Sequence, residues 1–177
     1  MLRNEVLTIK VSVDTRLVEN SSGAVIDGEY RYSLWRIWEH TLPKVTFIML
    51  NPSTADHLTD DPTLRRCVQF AKDWGYGSLE VVNLFAYRAT NPNKLREALD
   101  PIGKDNDHYI LQAVANSEKV ILAWGVNGKL FRRDQAVLQL LLHANSTAIC
   151  TIERTQNGHP RHPLYIAANK VPQPFYE

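Results

Sequence analysis

Four short apolar runs organise the chain beyond residue 43. Residues 45–50, 79–86, 120–124 and 147–152 are rich in Val, Ile, Leu, Phe and Ala, the pattern of strands buried on both faces. Between them apolar residues recur at helical spacing. Leu64, Cys67, Val68, Ala71 and Trp74 make one such face. Asp61-Pro62 opens it, with Asp as N-cap and Pro at the first helical position. Gly75 and Gly77 close it. Asn91-Pro92 opens a short helix that ends at Leu99, and residues 105–115 form another. Residues 129–143, with Leu130, Val137, Leu138, Leu141 and Leu142 apolar, form a further one.

The first 42 residues have a different rhythm. Residues 6–13 are a short interrupted apolar run, and Asn20-Ser21-Ser22-Gly23 has turn composition. Residues 28–38 partly alternate: Tyr30, Tyr32 and Leu34 share one face, and after a slip Trp35 and Ile37 share the other. That predicts a bulged strand in an N-terminal antiparallel strand or hairpin region. The fold class expected is α/β: a three-layer α/β/α single domain with a central, mainly parallel, four-stranded sheet and helices on both faces.

Composition narrows the function classes. The 177 residues are 44% hydrophobic and 22% charged, so a core is expected and disorder is not. No apolar run approaches the ~18 residues of a membrane helix, and the first residues lack a signal-peptide pattern. A cytoplasmic protein without membrane association is expected. Cys67 and Cys150 form no Cys-x-x-Cys pair and read as buried small hydrophobes. A net charge of +1 argues against an extensively basic nucleic-acid binder. It leaves room for a local patch from Arg65-Arg66, Arg132-Arg133, Arg154 or Arg161, although such pairs also occur as solvated helix faces.

In parallel sheets, sites form beyond the carboxyl ends of the strands. Asn51-Pro52-Ser53-Thr54 lies there. Asn51 either caps the strand end or orients a water, since an amide both donates and accepts. Asn83 stands in an otherwise apolar strand. It either bonds a neighbouring loop or meets a ligand, because a buried amide without partners costs ~1–3 kcal/mol. The densest signal is Gly158-His159-Pro160-Arg161-His162-Pro163-Leu164-Tyr165, where two prolines restrict the backbone beside two histidines. No carboxylate or Cys has spacing that completes a metal set with them, and no metal or cofactor is expected. Of the acidic residues after the first loop, Asp61 reads as a helix cap and Asp60 as a solvated neighbour. Gly125-Val126-Asn127-Gly128 is too short for a phosphate loop, so its glycines read as sites of close backbone packing.

Taken in order, several motifs resemble the family called domain of unknown function 1643. They are residues 47–56, Asp61-Pro62-Thr63 with Arg65-Arg66, Trp74-Gly75-Tyr76, Val82-Asn83-Leu84-Phe85-Ala86, Ala123-Trp124-Gly125 and residues 158–165. More remotely, the pattern resembles the uracil-DNA glycosylase superfamily. That resemblance implies that Asn51 orients the attacking water, and that Asn83 reads the pyrimidine edge with Pro52, Ser53 and Tyr87 around the base. It implies that His162, or alternatively His159, stabilises the departing base. Arg161, Leu164, Tyr165 and Arg88 would contact DNA, the protein's implied partner, with the protein acting as a monomer. In uracil-specific members a large aromatic occupies the position that corresponds to Ser53 and rejects a 5-methyl group. With Ser53 there, the implied substrate is a pyrimidine with a bulky 5-substituent, or a mispaired base, and defence against phage with modified DNA is an implied role. Two alternatives stand beside this one: an N-glycosidase acting on free nucleotides or nucleosides, and a non-catalytic binder of nucleic acid or nucleotide.

Overall fold

The computed structural model describes residues 10–14, 21–144 and 148–176. Among these, eight strands build one mixed sheet. They are β1 (Lys10–Asp14), β2 (Ser21–Asp27), β3 (Tyr30–Ile37), β4 (Lys44–Met49), β5 (Ser78–Asn83), β6 (Lys119–Leu122), β7 (Ile149–Thr151) and β8 (Gln173–Pro174). Their order is β1-β2-β3-β5-β4-β6-β7-β8. The set β5-β4-β6-β7 is parallel throughout. Thus the four expected strands are adjacent, but they are the centre of a larger sheet. The N-terminal strands form the expected antiparallel region and extend the same sheet: β3 pairs antiparallel with β5 and carries β2 and β1 outward.

Side chains alternate across this sheet. Val45, Phe47, Met49, Leu79 and Val81 belong to one buried cluster, together with Leu64, Cys67, Phe70 and Ala71 of helix α1 (Pro62–Asp73). Ile48, Val82, Val120 and Leu122 face the other way. They pack on Ile110, Ala113 and Val114 of α3 (Asn106–Ala115) and on Val137 and Leu141 of α4 (Arg133–His143). A short helix α2 (Lys94–Glu97) lies between α1 and α3 in sequence. Among the described residues no helix is long and apolar enough to cross a membrane.

Several local expectations hold and several need correction. Asp61 caps α1 by accepting from the Leu64 amide at 2.7 Å, and Gly75, at φ 85°, follows the helix. Both cysteines are buried and free. A register shift against β2 does occur, at Val25/Ile26, but it falls at Tyr32 rather than after Leu34. Tyr32 therefore packs with Val25 and Ala86 while Leu34 joins the α1-side cluster, and the two do not share the expected face. Ser21-Ser22-Gly23, however, is not a turn but the start of β2, and the reversal falls at Gly28-Glu29. A Cβ at Gly23 would meet the Trp35 ring at 2.1 Å, so this glycine serves cross-strand packing rather than a turn. β5 stops at Asn83, three residues short of the expected end. Leu84 and Phe85 still donate to the Met49 and Leu50 carbonyls, but Ala86 turns to Ile102. The expected helix at 129–143 begins only at Arg133, because Phe131 and Arg132 adopt φ 53° and 56°. Thr147 lies outside the described residues.

Candidate functional site

A cavity of about 480 Å³ opens at the carboxyl end of β4 and β5, on the α1 face. This is within the ~300–1,000 Å³ usual for small-molecule sites. Met49 and Val81 form part of its floor, and Asn51, Ser53, Asn83, Trp124 and His162 stand around it. The parallel register sets Met49 beside Asn83. Three segments far apart in sequence therefore reach one space, as reasoning from strand ends anticipated.

Asn83 is 1% exposed, and neither Nδ2 nor Oδ1 has a partner within the protein. Its backbone, by contrast, is tied. Asn106, itself fully buried, donates at 3.0 Å to the carbonyls of both Asn83 and Leu84. Arg133 Nε donates to Leu84 at 2.8 Å. The main chain is thus braced from the α3 and α4 side, while the residue lines the cavity with both amide functions unpaired. Buried polar groups are nearly always paired, so this amide stands out: it can bond a ligand that has both a donor and an acceptor.

Asn51 is held differently. Its Nδ2 donates to the carbonyls of Ala89 at 2.7 Å and Pro52 at 3.0 Å. With the nitrogen engaged, Oδ1 is the group left to accept from a ligand or a water. His162 Nδ1 accepts from the Leu164 amide at 3.3 Å. That bond assigns the ring proton to Nε2, which is then a donor. Burial lowers the His162 pKa below 6.5, against the smaller opposing pull of Asp61, so the ring is neutral at pH 7. Tyr165 sits tilted beside it, with centroids 5.7 Å apart.

The remaining expected residues are distributed around this cavity. Ser53 lines it and also an adjoining open groove, shared with Tyr87, Arg88 and Lys94. Pro52 and His159 do not line the cavity. The Pro52 carbonyl accepts from Ala89, and the His159 amide and carbonyl close a turn with Thr155. Arg161 is paired with Glu153 at 2.6 Å. Tyr165, 70% exposed, lines the cavity, whereas Leu164, 45% exposed, does not. The arginines expected for a basic patch bond within the chain, although Arg65, Arg132 and Arg154 stay exposed, Arg132 on Gln135. Arg133 is buried against Leu84 and Asp107, Arg66 reaches Ile166, Arg154 reaches Phe175, and Arg65 reaches the Asp60 carbonyl. Asp60 is not merely solvated but ion-paired with Arg36 at 2.6 Å. Asp56 accepts from the Leu58 and Thr59 amides. Among the described residues no group of His, Cys, Asp and Glu is gathered to hold a metal.

Two glycines shape the far wall. Gly125 takes φ 73°, open to glycine at no steric cost. Gly128 packs on the Trp124 indole so closely that a Cβ would lie 2.1 Å from its ring, which is the close packing expected of this loop. Trp124 Nε1 is buried without a partner. Arg31 also lines the cavity, 4% exposed, and sequence reasoning passed over it. An arginine in an alternating strand looks like a solvent-facing residue; only the loop after β4 covers it.

A family described as protein of unknown function (DUF1643) matches residues 31–164. No curated protein and no solved structure matches the chain.

Proposed function

The chain belongs to the DUF1643 family, and we propose that it is a DNA N-glycosylase that hydrolyses the bond between sugar and a 5-substituted or mispaired pyrimidine. The observation that carries this reading is the Asn83 amide, buried, doubly unpaired and on the cavity wall. A pyrimidine edge offers adjacent donor and acceptor groups that fit it. In this reading the parallel strands, with α1 on one face and α3 and α4 on the other, are the three-layer body of a glycosylase-like fold. Ser53 leaves the space beside the 5-position open. Trp35 and Tyr76 do not line the cavity; its aromatic members are Trp124 and Tyr165.

The chemistry follows from the same groups. The target nucleotide leaves the stack to enter the cavity. As the bond from C1′ to the base breaks, its electron pair goes to the base, and the neutral His162 donates from Nε2 to a base carbonyl. A donor already in place stabilises that developing anion without reorganisation. Asn51 Oδ1 accepts from a water that attacks C1′. An amide does not take a proton, so the proton released on attack passes to solvent, and the base anion later takes one from solvent. A sugar cation already formed requires only such orientation. Tyr165 on the cavity wall and the exposed Leu164 beside it in sequence supply apolar surface to replace the flipped base, and Arg88 in the adjoining groove meets phosphate.

The test is base release. Phage DNA with hydroxymethylated or glucosylated cytosine, uracil-containing DNA and unmodified DNA are incubated with the protein, and abasic sites are scored. Abasic sites in modified DNA, lost in Asn51→Ala and His162→Ala, support the reading and a role in defence against modified genomes. No abasic site in any DNA defeats it. A second reading, an N-glycosidase on free nucleotides, draws on the inward engagement of Arg66 and Arg133 and the +1 net charge. Release from nucleotides alone would establish it instead.

A further inference from the structure

The cavity contains a cation that this chemistry does not use. Arg31 enters from β3, where its amide donates to the Ala86 carbonyl. Its side chain donates through Nη1 to the Ala55 carbonyl, and Nε has no partner. Among the described residues no carboxylate is within ion-pair distance of it. The more distant charges around it oppose one another: Asp61 and Asp56 favour the cation, and Arg88 and Arg36 disfavour it. Asp61 is engaged at the α1 cap, and Asp56 in its own turn. Burial lowers the Arg31 pKa to about 10, which leaves the side chain charged at neutral pH. A buried charge without a counterion is costly. A fold that needed only a tie to one carbonyl could meet it with a neutral donor.

We propose that Arg31 is an anion receptor, and that the ligand of this cavity carries an anionic oxygen group, a carboxylate or a phosphate, which docks on its guanidinium. The inference rests on the glycosylase reading only for the identity of the base. Arg31 holds Ala55, on the Ser53–Ala55 side of the cavity where that reading puts the 5-substituent. An acidic 5-substituent is therefore one source of the charge. A nucleotide phosphate is the other. A planar guanidinium suits both, since it can bond two oxygens of either group at once.

Binding of small probes tests this without any base release. Titration calorimetry compares 5-carboxyuracil with thymine, and thymidine 5′-monophosphate with thymidine, on the wild type, Arg31→Met and Arg31→Gln. The wild type should favour the acidic member of at least one pair by about tenfold or more, ~1.4 kcal/mol. The pair that shows the preference identifies the source. In Arg31→Met the preference should fall to within about twofold. If that variant does not fold, Arg31→Gln, which keeps a donor for Ala55, takes its place. No acidic preference in either pair, or a preference that survives removal of the charge, overturns the proposal. If DNA yields no abasic sites while the acidic probe is preferred, the glycosylase reading fails and this one stands. Abasic sites with no acidic preference give the reverse.

Discussion

Replacing Asn83 with Leu should make the protein more stable and less active at once. Leucine has the heavy-atom branching of asparagine but no polar atoms, and the cavity beside it leaves room for its extra bulk. In the structure both amide atoms are buried without partners, and burying an unbonded amide costs ~1–3 kcal/mol by protein mutational data. Substitution removes that cost and leaves the backbone tie intact, because Asn106 grips the Asn83 carbonyl rather than its side chain. Nearby Met49 and Val81 already provide apolar neighbours. A net gain of about 1–3 kcal/mol is expected, and each kcal/mol raises Tm by roughly 2–4 °C in a chain of this size. Base release should fall on the order of 100-fold or more, as for loss of one pre-organised donor. The assay is a thermal melt beside single-turnover base release on the same preparation. A lower Tm in Asn83→Leu would refute the reasoning, because the amide would then be a structural group whose bonds hold the empty fold together.

Ser53→Tyr should abolish release of a bulky 5-substituted base and spare release of plain uracil; equal loss on both would remove Ser53 from any part in selection. His162 should titrate below 6.5, because burial disfavours its cation. Above pH 6.5 both folded and unfolded forms are neutral there; as pH falls through 6.5 the unfolded chain gains a proton that the folded ring resists, so stability declines toward acid. NMR titration of the ring checks this, and a midpoint above 6.5 contradicts it. Gly128→Ala should cost about 1–3 kcal/mol, as overpacking does, and disturb Trp124, whose ring would lie 2.1 Å from the new Cβ; an unchanged melt and unchanged Trp fluorescence would count against that contact.

Much of this architecture was legible because it is written in local patterns. Apolar runs marked the parallel strands, and Asp61-Pro62 marked the start of α1, where a cap and a fixed φ act within one turn. The loops carrying Asn51, Asn83 and His162 could be placed together because parallel strands deliver their carboxyl ends to one side. What escaped depends on contacts distant in sequence. Arg31 is buried by the Ala55 loop, and nothing near residue 31 announces this. Gly23 reads as a turn until Trp35 is seen against it. The delayed start of α4 follows from the positive φ of Phe131 and Arg132, which no apolar periodicity encodes. The end of β5 was missed because Leu84, Phe85 and Ala86 remain apolar and buried after the ladder stops. For His159 and His162, composition alone could not choose; the cavity lining includes only the second.

The alternation of β5 has a consequence for how such a site can change over time. Leu79, Val81 and Asn83 share one face, and Val82 and Leu84 the other. Deleting one residue within the strand would send the Asn83 amide to the α3 and α4 side, away from the cavity it lines, and would turn Val82 away from its own cluster. The cavity-lining amide and the core are in phase, so a slip that spoils one spoils both. Length variation in this strand is therefore closed to gradual exploration, whereas the segments after Met49 and after Leu122 can lengthen or shorten without reversing any face. Diversity of ligand within this architecture should accumulate as changes in those loops, around an amide whose direction is inherited from the pleat.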